Sequence, residues 1–141
     1  MHDWELRASV EIGRLYPRYI TLVDGNRPTE LSRLFAEDGV LISQVMGQEC
    51  RGRPAIEAFI GQLRSSWTDI RIHITPPDIT FGGEDRAEGT CYFTVLDPTG
   101  LDHWGTYSDA FERHEDKWLF SRRLITLNGR SSASPVSPAV P

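Results

Sequence analysis

The last third of the chain alternates between apolar and polar residues. Two such runs, between residues 102 and 125, flank a polar stretch at 114–117. Because successive strand side chains point to opposite faces, this pattern predicts a hairpin that turns at 114–117. One face of it would carry Tyr107, Asp109, Phe111, Arg113, Trp118, Phe120, Arg122 and Leu124. Asp109 would then oppose Arg122, either as a structural ion pair or as part of a pocket lining.

Helical spacing dominates the first half of the chain. Apolar residues over positions 4–24 predict an amphipathic helix, with a kink at positions 13–17 because Pro17 removes a backbone hydrogen bond. We expect a second, short helix capped by Thr29, and a third helix with Pro54 in its first turn.

The remaining segments read as strands. They cover positions 39–43, 48–51, 69–81 with a break at Pro76 and Pro77, and 87–96. Together with the hairpin they predict an α+β fold, in which helices pack against one curved sheet that contains a four-strand antiparallel meander. The Ser/Pro-rich end predicts a domain over positions 1–128 and a flexible tail over 129–141.

Composition narrows the class of protein. The 141 residues are 39% hydrophobic and 25% charged, as in a single globular domain. A net charge of -5 without a basic run argues against a nucleic-acid partner. Cys50 and Cys91 form no C-x-x-C pair, and His2, His103 and His114 lack metal-ligand spacing, so we expect no metal. Without a signal region or an apolar run near about 18 residues, we expect a cytoplasmic protein that does not bind membranes.

Several short motifs are similar to those of one known family. They are Tyr19-x4-Asp24, the segment at 34–40, Arg51-Gly52-Arg53-x-Ala55-Ile56, His73, Gly105-x-Tyr107-x-Asp109 and Trp118-x-Phe120-x-x-Arg123. In order and spacing they resemble the SnoaL-like branch of the nuclear transport factor 2-like superfamily. The resemblance covers about positions 8–128. It implies a cone-shaped α+β barrel of a curved, mainly antiparallel sheet and about three helices around an apolar pocket, often in a homodimer packed through the sheet.

The resemblance also assigns candidate catalytic residues. His73 matches a dehydratase histidine and would move a proton, Tyr19 matches an oxyanion-binding tyrosine, and Asp109 would orient or charge-balance the histidine. The alternatives are a core or rim histidine, a core tyrosine and an ion pair between Asp109 and Arg122. Asp24 matches a dehydratase aspartate, although a turn residue before Gly25 has the same pattern.

Further residues are expected around the substrate. These substrate-binding candidates are Asp24, Tyr107, Phe111, Arg122 and Cys91. Within this superfamily, Cys91 stands where scytalone dehydratase has a second histidine, and Ser43 stands where ketosteroid isomerase has its carboxylate base. Trp67, Trp104 and Trp118 are expected at a wall or an interface.

Together with the resemblance, these residues imply an enzyme that needs no cofactor. It would be a lyase, isomerase or cyclase that acts by general acid/base chemistry on an apolar, oxygenated small molecule, such as a steroid or polyketide. Two alternatives stay open: a non-catalytic ligand-binding or assembly domain, and an epoxide-opening hydrolase or cyclase built on Asp109 and Arg122. Cavity volume separates the first two hypotheses, because a pocket plugged by side chains favours the non-catalytic domain.

Overall fold

The computed structural model describes residues 1–66 and 69–136, except for the side chains of residues 64–66. Trp67 and residues 137–141 of the expected tail lie outside the described residues. The described part contains three helices and seven strands. In chain order these are α1 (Asp3–Asp24), α2 (Pro28–Ser32), β1 (Phe35–Ser43), β2 (Gln48–Arg51), α3 (Arg53–Ser66), β3 (Arg71–Ile74), β4 (Asp78–Phe81), β5 (Arg86–Asp97), β6 (Gly100–His114) and β7 (Lys117–Arg130).

The helices follow the predicted order, with one boundary corrected. Pro17 lies inside α1, which is assigned as one helix through to Asp24. α2 begins at Pro28 and follows Arg27, so Thr29 is not its cap. The Thr29 hydroxyl instead donates a hydrogen bond to the Glu57 carboxylate of α3. Proline favours the first turn of a helix because its missing N–H needs no partner there, which explains the earlier start.

The strands form one curved, open sheet in the order β2-β1-β7-β6-β5-β3, with β4 also paired to β5. All pairs are antiparallel except that of β1 with β7. The predicted α+β class and mainly antiparallel sheet are confirmed. The β1–β7 pair joins distant parts of the chain, and its parallel direction has no local sequence signal.

The hairpin of β6 and β7 differs from the prediction in register. Ala110 pairs with Arg122, and the next pair is Phe111 with Phe120, so Ser121 is an extra residue on β7. Such a bulge reverses the alternation beyond it. Arg122 is therefore exposed, and Arg123 is the residue that pairs with Asp109. The predicted Asp109–Arg122 pair is wrong for this reason.

The core lies between the inner face of the sheet and helix α1. Tyr16 of α1 contacts Phe111 and Phe120 with ring centroids 6.0 Å away in both cases. Phe120 also stacks on Phe35 of β1 at 5.1 Å. This aromatic layer fills the space between the middle of α1 and the sheet.

Residues 129–136, the described part of the expected tail, include the end of a strand and a turn. β7 continues to Arg130, so the predicted domain boundary at 128 falls inside a strand. Beyond it the Ser134 amide donates to the Ser131 carbonyl at 3.1 Å, which closes a turn. Ser134 and Val136 are both buried. We call residues 131–136 the C-terminal strap.

The outer face of the sheet exposes aromatic side chains. Tyr92 on β5 is 63% exposed and Trp104 on β6 is 37% exposed. Exposed aromatic residues on a sheet are compatible with the homodimer predicted through this face, which stays a prediction.

Candidate functional site

A narrow pocket opens between the C-terminal half of α1, helix α3 and the inner face of the sheet. Its apolar wall includes Phe59, Ile72, Phe93 and Val95. Four side chains with polar groups also line it: Tyr19, Ser43, His103 and Tyr107. The free volume is about 50 Å³, which holds about three or four water molecules. An apolar cavity with a few converging polar groups is typical of a small-molecule site, although this one is small.

The polar wall of the pocket contains a buried aspartate–histidine pair. His103 Nδ1 lies 2.7 Å from Asp102 Oδ2, and the side chains are only 3% and 7% exposed. An ionised carboxylate can only accept hydrogen bonds, so Nδ1 carries the proton in this contact. Asp102 thereby fixes the tautomer and the orientation of the imidazole.

Phe93 connects this pair to Tyr107. Its ring stacks on Tyr107 with centroids 4.7 Å apart and meets the His103 ring edge-on at 6.0 Å. His103 and Tyr107 are thus held on either side of one rigid aromatic ring, which limits the rotamers of both.

A second buried cluster, the Arg123 cluster, lies behind the two pocket tyrosines. Asp109 accepts hydrogen bonds from Arg123 Nε at 2.8 Å and Nη2 at 3.0 Å, and from the Tyr16 hydroxyl at 2.7 Å. The guanidinium carbon lies 4.3 Å from the Tyr19 ring centroid and 4.0 Å from that of Tyr107. Aromatic faces stabilise a cation in this position. Nη1 of Arg123 is buried and has no hydrogen-bond partner among the described residues.

The three buried tyrosines, Tyr16, Tyr19 and Tyr107, all have raised pKa values. Burial is the largest cause for each phenol, because it disfavours the charged form. The positive charge of Arg123 opposes the rise in pKa at all three. These hydroxyls therefore stay protonated at neutral pH and can donate hydrogen bonds.

The structure brings together some of the predicted site residues. Tyr19 and Tyr107 both line the pocket, with ring centroids 6.1 Å apart. Asp109 is buried next to them, but it belongs to the Arg123 cluster and does not line the pocket. Its role as a partner of His73 has no support in this geometry, because its hydrogen bonds go to Arg123 and Tyr16.

Three of the predicted site residues lie outside the pocket. His73 is exposed on β3, whose inward side chains are Ile72 and Ile74, so the expectation that it enters the pocket is not met. Arg122 is exposed, so it does not pair with Asp109 as the epoxide-opening alternative required. Asp24 ends α1 in a half-buried position and is not among the described residues of the pocket wall.

Two further candidates are core residues. Phe111 packs on Phe120 at 4.9 Å and is 1% exposed. Cys91 pairs with Tyr107 across β5 and β6 and is 2% exposed. Burial raises the pKa of the Cys91 thiol to about 12, so it is protonated and unreactive at neutral pH.

The sequence-based assignment missed His103. Counting back in steps of two from Tyr107 places Gly105 and His103 on the same strand face. Alternation along the strand therefore indicated that the His103 side chain points inward with Tyr107. Asp102 would fall on the other face by that count. It is the extra residue of a bulge, because Val95 pairs with His103 while Leu96 pairs with Leu101. The bulge lets two consecutive side chains, Asp102 and His103, both be buried.

The described residues include no group of three or more His, Cys, Asp or Glu side chains that could hold a metal ion. None of the described helices is long and apolar enough to cross a membrane.

Solved structures with the same fold cover nearly the whole chain. A candidate scytalone dehydratase from Novosphingobium aromaticivorans is 24% identical with a TM-score of 0.84, over 100% of this chain and 97% of the other. A nuclear transport factor 2-like protein with a cystatin-like fold, from the same species, is 29% identical with a TM-score of 0.81, over 92% and 87%. A LinA-type hexachlorocyclohexane dehydrochlorinase from Novosphingobium barchaimii is 18% identical with a TM-score of 0.80, over 96% and 98%.

These matches confirm the predicted nuclear transport factor 2-like fold. No curated protein sequence matches the chain. The family model of the SnoaL-like domain matches residues 4–124. With the motifs, the sheet topology and this match in agreement, the chain belongs to the SnoaL-like domain family.

Proposed function

We propose that the pocket is the active site of a small-molecule lyase, in which His103 transfers the proton. The observation that carries the proposal is the buried Asp102–His103 pair in the wall of an apolar pocket that also contains Tyr19 and Tyr107. Two structures with this fold are named for eliminations, one of water and one of hydrogen chloride. An elimination needs a positioned base and donors for the departing group, and we assign these roles to His103 and to the two tyrosines.

The proposed step is the removal of a proton and a leaving group, hydroxide or chloride, from adjacent carbons of an apolar substrate. With Nδ1 held by Asp102, proton exchange with the substrate would take place at Nε2 of His103. The electrons of the broken C–H bond form the new C=C bond, and the leaving group departs with its bonding pair. When that group is hydroxide, the imidazolium returns the proton to it and water is released.

Tyr19 and Tyr107 would act as hydrogen-bond donors rather than as bases. Their raised pKa values keep both phenols neutral at the pH where an imidazole exchanges protons. A neutral phenol can donate to a carbonyl or hydroxyl oxygen that gains negative charge in the transition state. The guanidinium of Arg123, 4.3 and 4.0 Å from the centroids of the two rings, would favour negative charge that develops on that oxygen.

Elimination from two substrates, scytalone and hexachlorocyclohexane, tests the proposal. Formation of the dehydrated product is followed by absorbance, and chloride release is followed by ion chromatography. Replacing His103 with asparagine should lower the rate on any substrate that is turned over by about a hundredfold or more. His73→Asn is the matched control, because His73 is exposed on β3, and should keep the wild-type rate. Equal rates for His103→Asn and wild type would remove His103 from the mechanism. A loss of rate in His73→Asn alone would return the proton transfer to His73, as the family resemblance implied.

The small cavity favours a second candidate function, a non-catalytic ligand-binding or assembly domain. A free volume of about 50 Å³ is far below the roughly 300–1,000 Å³ of ligand pockets. A substrate could enter only if wall side chains move, of which Met46 is the most flexible type. NMR shift changes at Ile72 and Ile125 on adding either substrate, without product formation, would support ligand binding without catalysis. Turnover of either substrate would exclude the non-catalytic function.

A further inference from the structure

We infer that the C-terminal strap completes the active site, with Ser134 as a positioning residue for the Asp102–His103 pair. The inference rests on the proposed role of His103 and adds a residue that lies 32 positions further along the chain than Asp102. The Ser134 hydroxyl donates to Asp102 Oδ2 at 2.7 Å, and the same oxygen accepts from His103 Nδ1 at 2.7 Å. Ser134, Asp102 and His103 therefore form one buried hydrogen-bonded chain.

The strap is held in place by backbone contacts on both sides of Ser134. The Ser131 amide donates to the Asp102 carbonyl at 2.8 Å. The Val136 amide donates to the Ser134 hydroxyl oxygen at 3.1 Å, so that oxygen accepts one hydrogen bond while it donates another. Its proton is consequently directed at Asp102 and its rotation is restricted. Val136 is 4% exposed, and its burial anchors the end of the described strap.

Asp102 needs such support because of where it lies. Asp102 is the extra residue of a β-bulge, so the alternation of the strand does not fix the direction of its side chain. It is 5% exposed, so a carboxylate oxygen without hydrogen bonds would carry a large desolvation cost. Ser134 satisfies one lone pair of Oδ2 and His103 another, which fixes the carboxylate plane and, through it, the imidazole. Ser134 is not placed as a nucleophile, because its hydroxyl contacts Asp102 rather than the imidazole.

The first test is spectroscopic and does not depend on any substrate. A histidine N–H that donates to a buried carboxylate gives a strongly downfield proton resonance, observable in the full-length protein. We expect this His103 resonance in wild type and its loss in Asp102→Asn. Ser134→Ala should shift and broaden it, since the carboxylate gains freedom to rotate, whereas Ser134→Thr, which keeps the hydroxyl, should restore it. Ser132→Ala is the matched control on the exposed part of the same strap.

The second test concerns catalysis on whichever of the two substrates is turned over. Ser134→Ala should lower kcat by about tenfold with KM nearly unchanged, because misorientation of the base affects the transition state more than binding. Ser134→Thr should recover most of the rate.

The outcomes separate this inference from the proposed function. An unchanged downfield resonance in Ser134→Ala, or its absence from wild type, would overturn the role of Ser134 whatever the activity. If the resonance responds as expected but neither scytalone nor hexachlorocyclohexane is converted, the hydrogen-bonded chain stands and the lyase assignment fails. Circular dichroism of each variant is the control for unfolding, and a spectrum like that of wild type is expected.

Discussion

Replacing Arg123 with methionine tests the central electrostatic feature of the core. The substitution removes the cation but keeps a long, unbranched side chain of similar volume. It leaves the Asp109 carboxylate buried, with the Tyr16 hydroxyl as its remaining hydrogen-bond donor within the Arg123 cluster. The bulge at Ser121 makes Arg122→Met the matched control, because this neighbour is exposed and pairs with Ala110 instead.

The size of the effect follows from the contacts that are lost. Arg123 donates two charge-assisted hydrogen bonds to Asp109, at 2.8 and 3.0 Å. At about 1.5–3 kcal/mol each, they set a gross loss of about 3–6 kcal/mol. Methionine avoids the desolvation cost of the cation and of Nη1, which has no hydrogen-bond partner among the described residues, so the net loss should be lower than this sum. We expect Arg123→Met to reduce the free energy of unfolding by about 3–5 kcal/mol, as for other broken buried ion pairs.

Urea denaturation at neutral pH measures this difference. Arg122→Met should change the free energy of unfolding by less than about 0.5 kcal/mol. In the double variant Asp109→Asn/Arg123→Met, the loss should be smaller than the sum of the single losses by about 1–3 kcal/mol, since the two residues interact directly. A loss below about 1 kcal/mol in Arg123→Met, or an equal loss in Arg122→Met, would refute the assigned register and the importance of the buried pair.

Three further predictions concern pH, backbone packing and thiol chemistry. Because burial raises the pKa of the three buried tyrosines, the native state holds their protons above about pH 10, where unfolded tyrosine loses them. Stability should be unaffected by these groups below about pH 10 and should then fall by up to about 1.4 kcal/mol per pH unit for each tyrosine. Tyr19→Phe should make that fall less steep, as measured by urea midpoints across the alkaline range; an unchanged slope would contradict the assigned burial. Gly105→Ala should destabilise by more than about 2 kcal/mol, because its Cβ would lie 1.9 Å from the Thr126 carbonyl oxygen. Gly13→Ala, with no atom within 4 Å of the new Cβ, should instead gain about 0.5–1 kcal/mol in the same assay, and the reverse ranking would argue against this packing. Native Cys91 should not react with a thiol reagent at neutral pH and should react in denaturant, whereas rapid native labelling would show that it is accessible.

The sequence by itself determined the order of the elements and much of the inner face of the hairpin. Local periodicity is enough for this, because helix and strand side chains repeat at fixed intervals. It placed β2 at positions 48–51 and assigned Tyr107, Asp109 and Phe111 to one buried face, as observed. The family motifs also included Arg123, although simple alternation favoured Arg122.

Only the tertiary structure decided which charged and titratable groups meet. Because Ser121 is an extra residue on β7, Arg123 rather than Arg122 pairs with Asp109. Because Asp102 is an extra residue on β6, this aspartate and the adjacent histidine are buried together. A bulge is a property of two paired strands, so period-two counting along one strand cannot locate it. Ser134 reaches Asp102 because β7 and the strap return to the start of β6, a long-range arrangement that a Ser/Pro-rich composition does not predict. The sequence therefore determines the two pocket tyrosines, whereas the pairing of distant segments determines which charged and titratable groups lie behind and beside them.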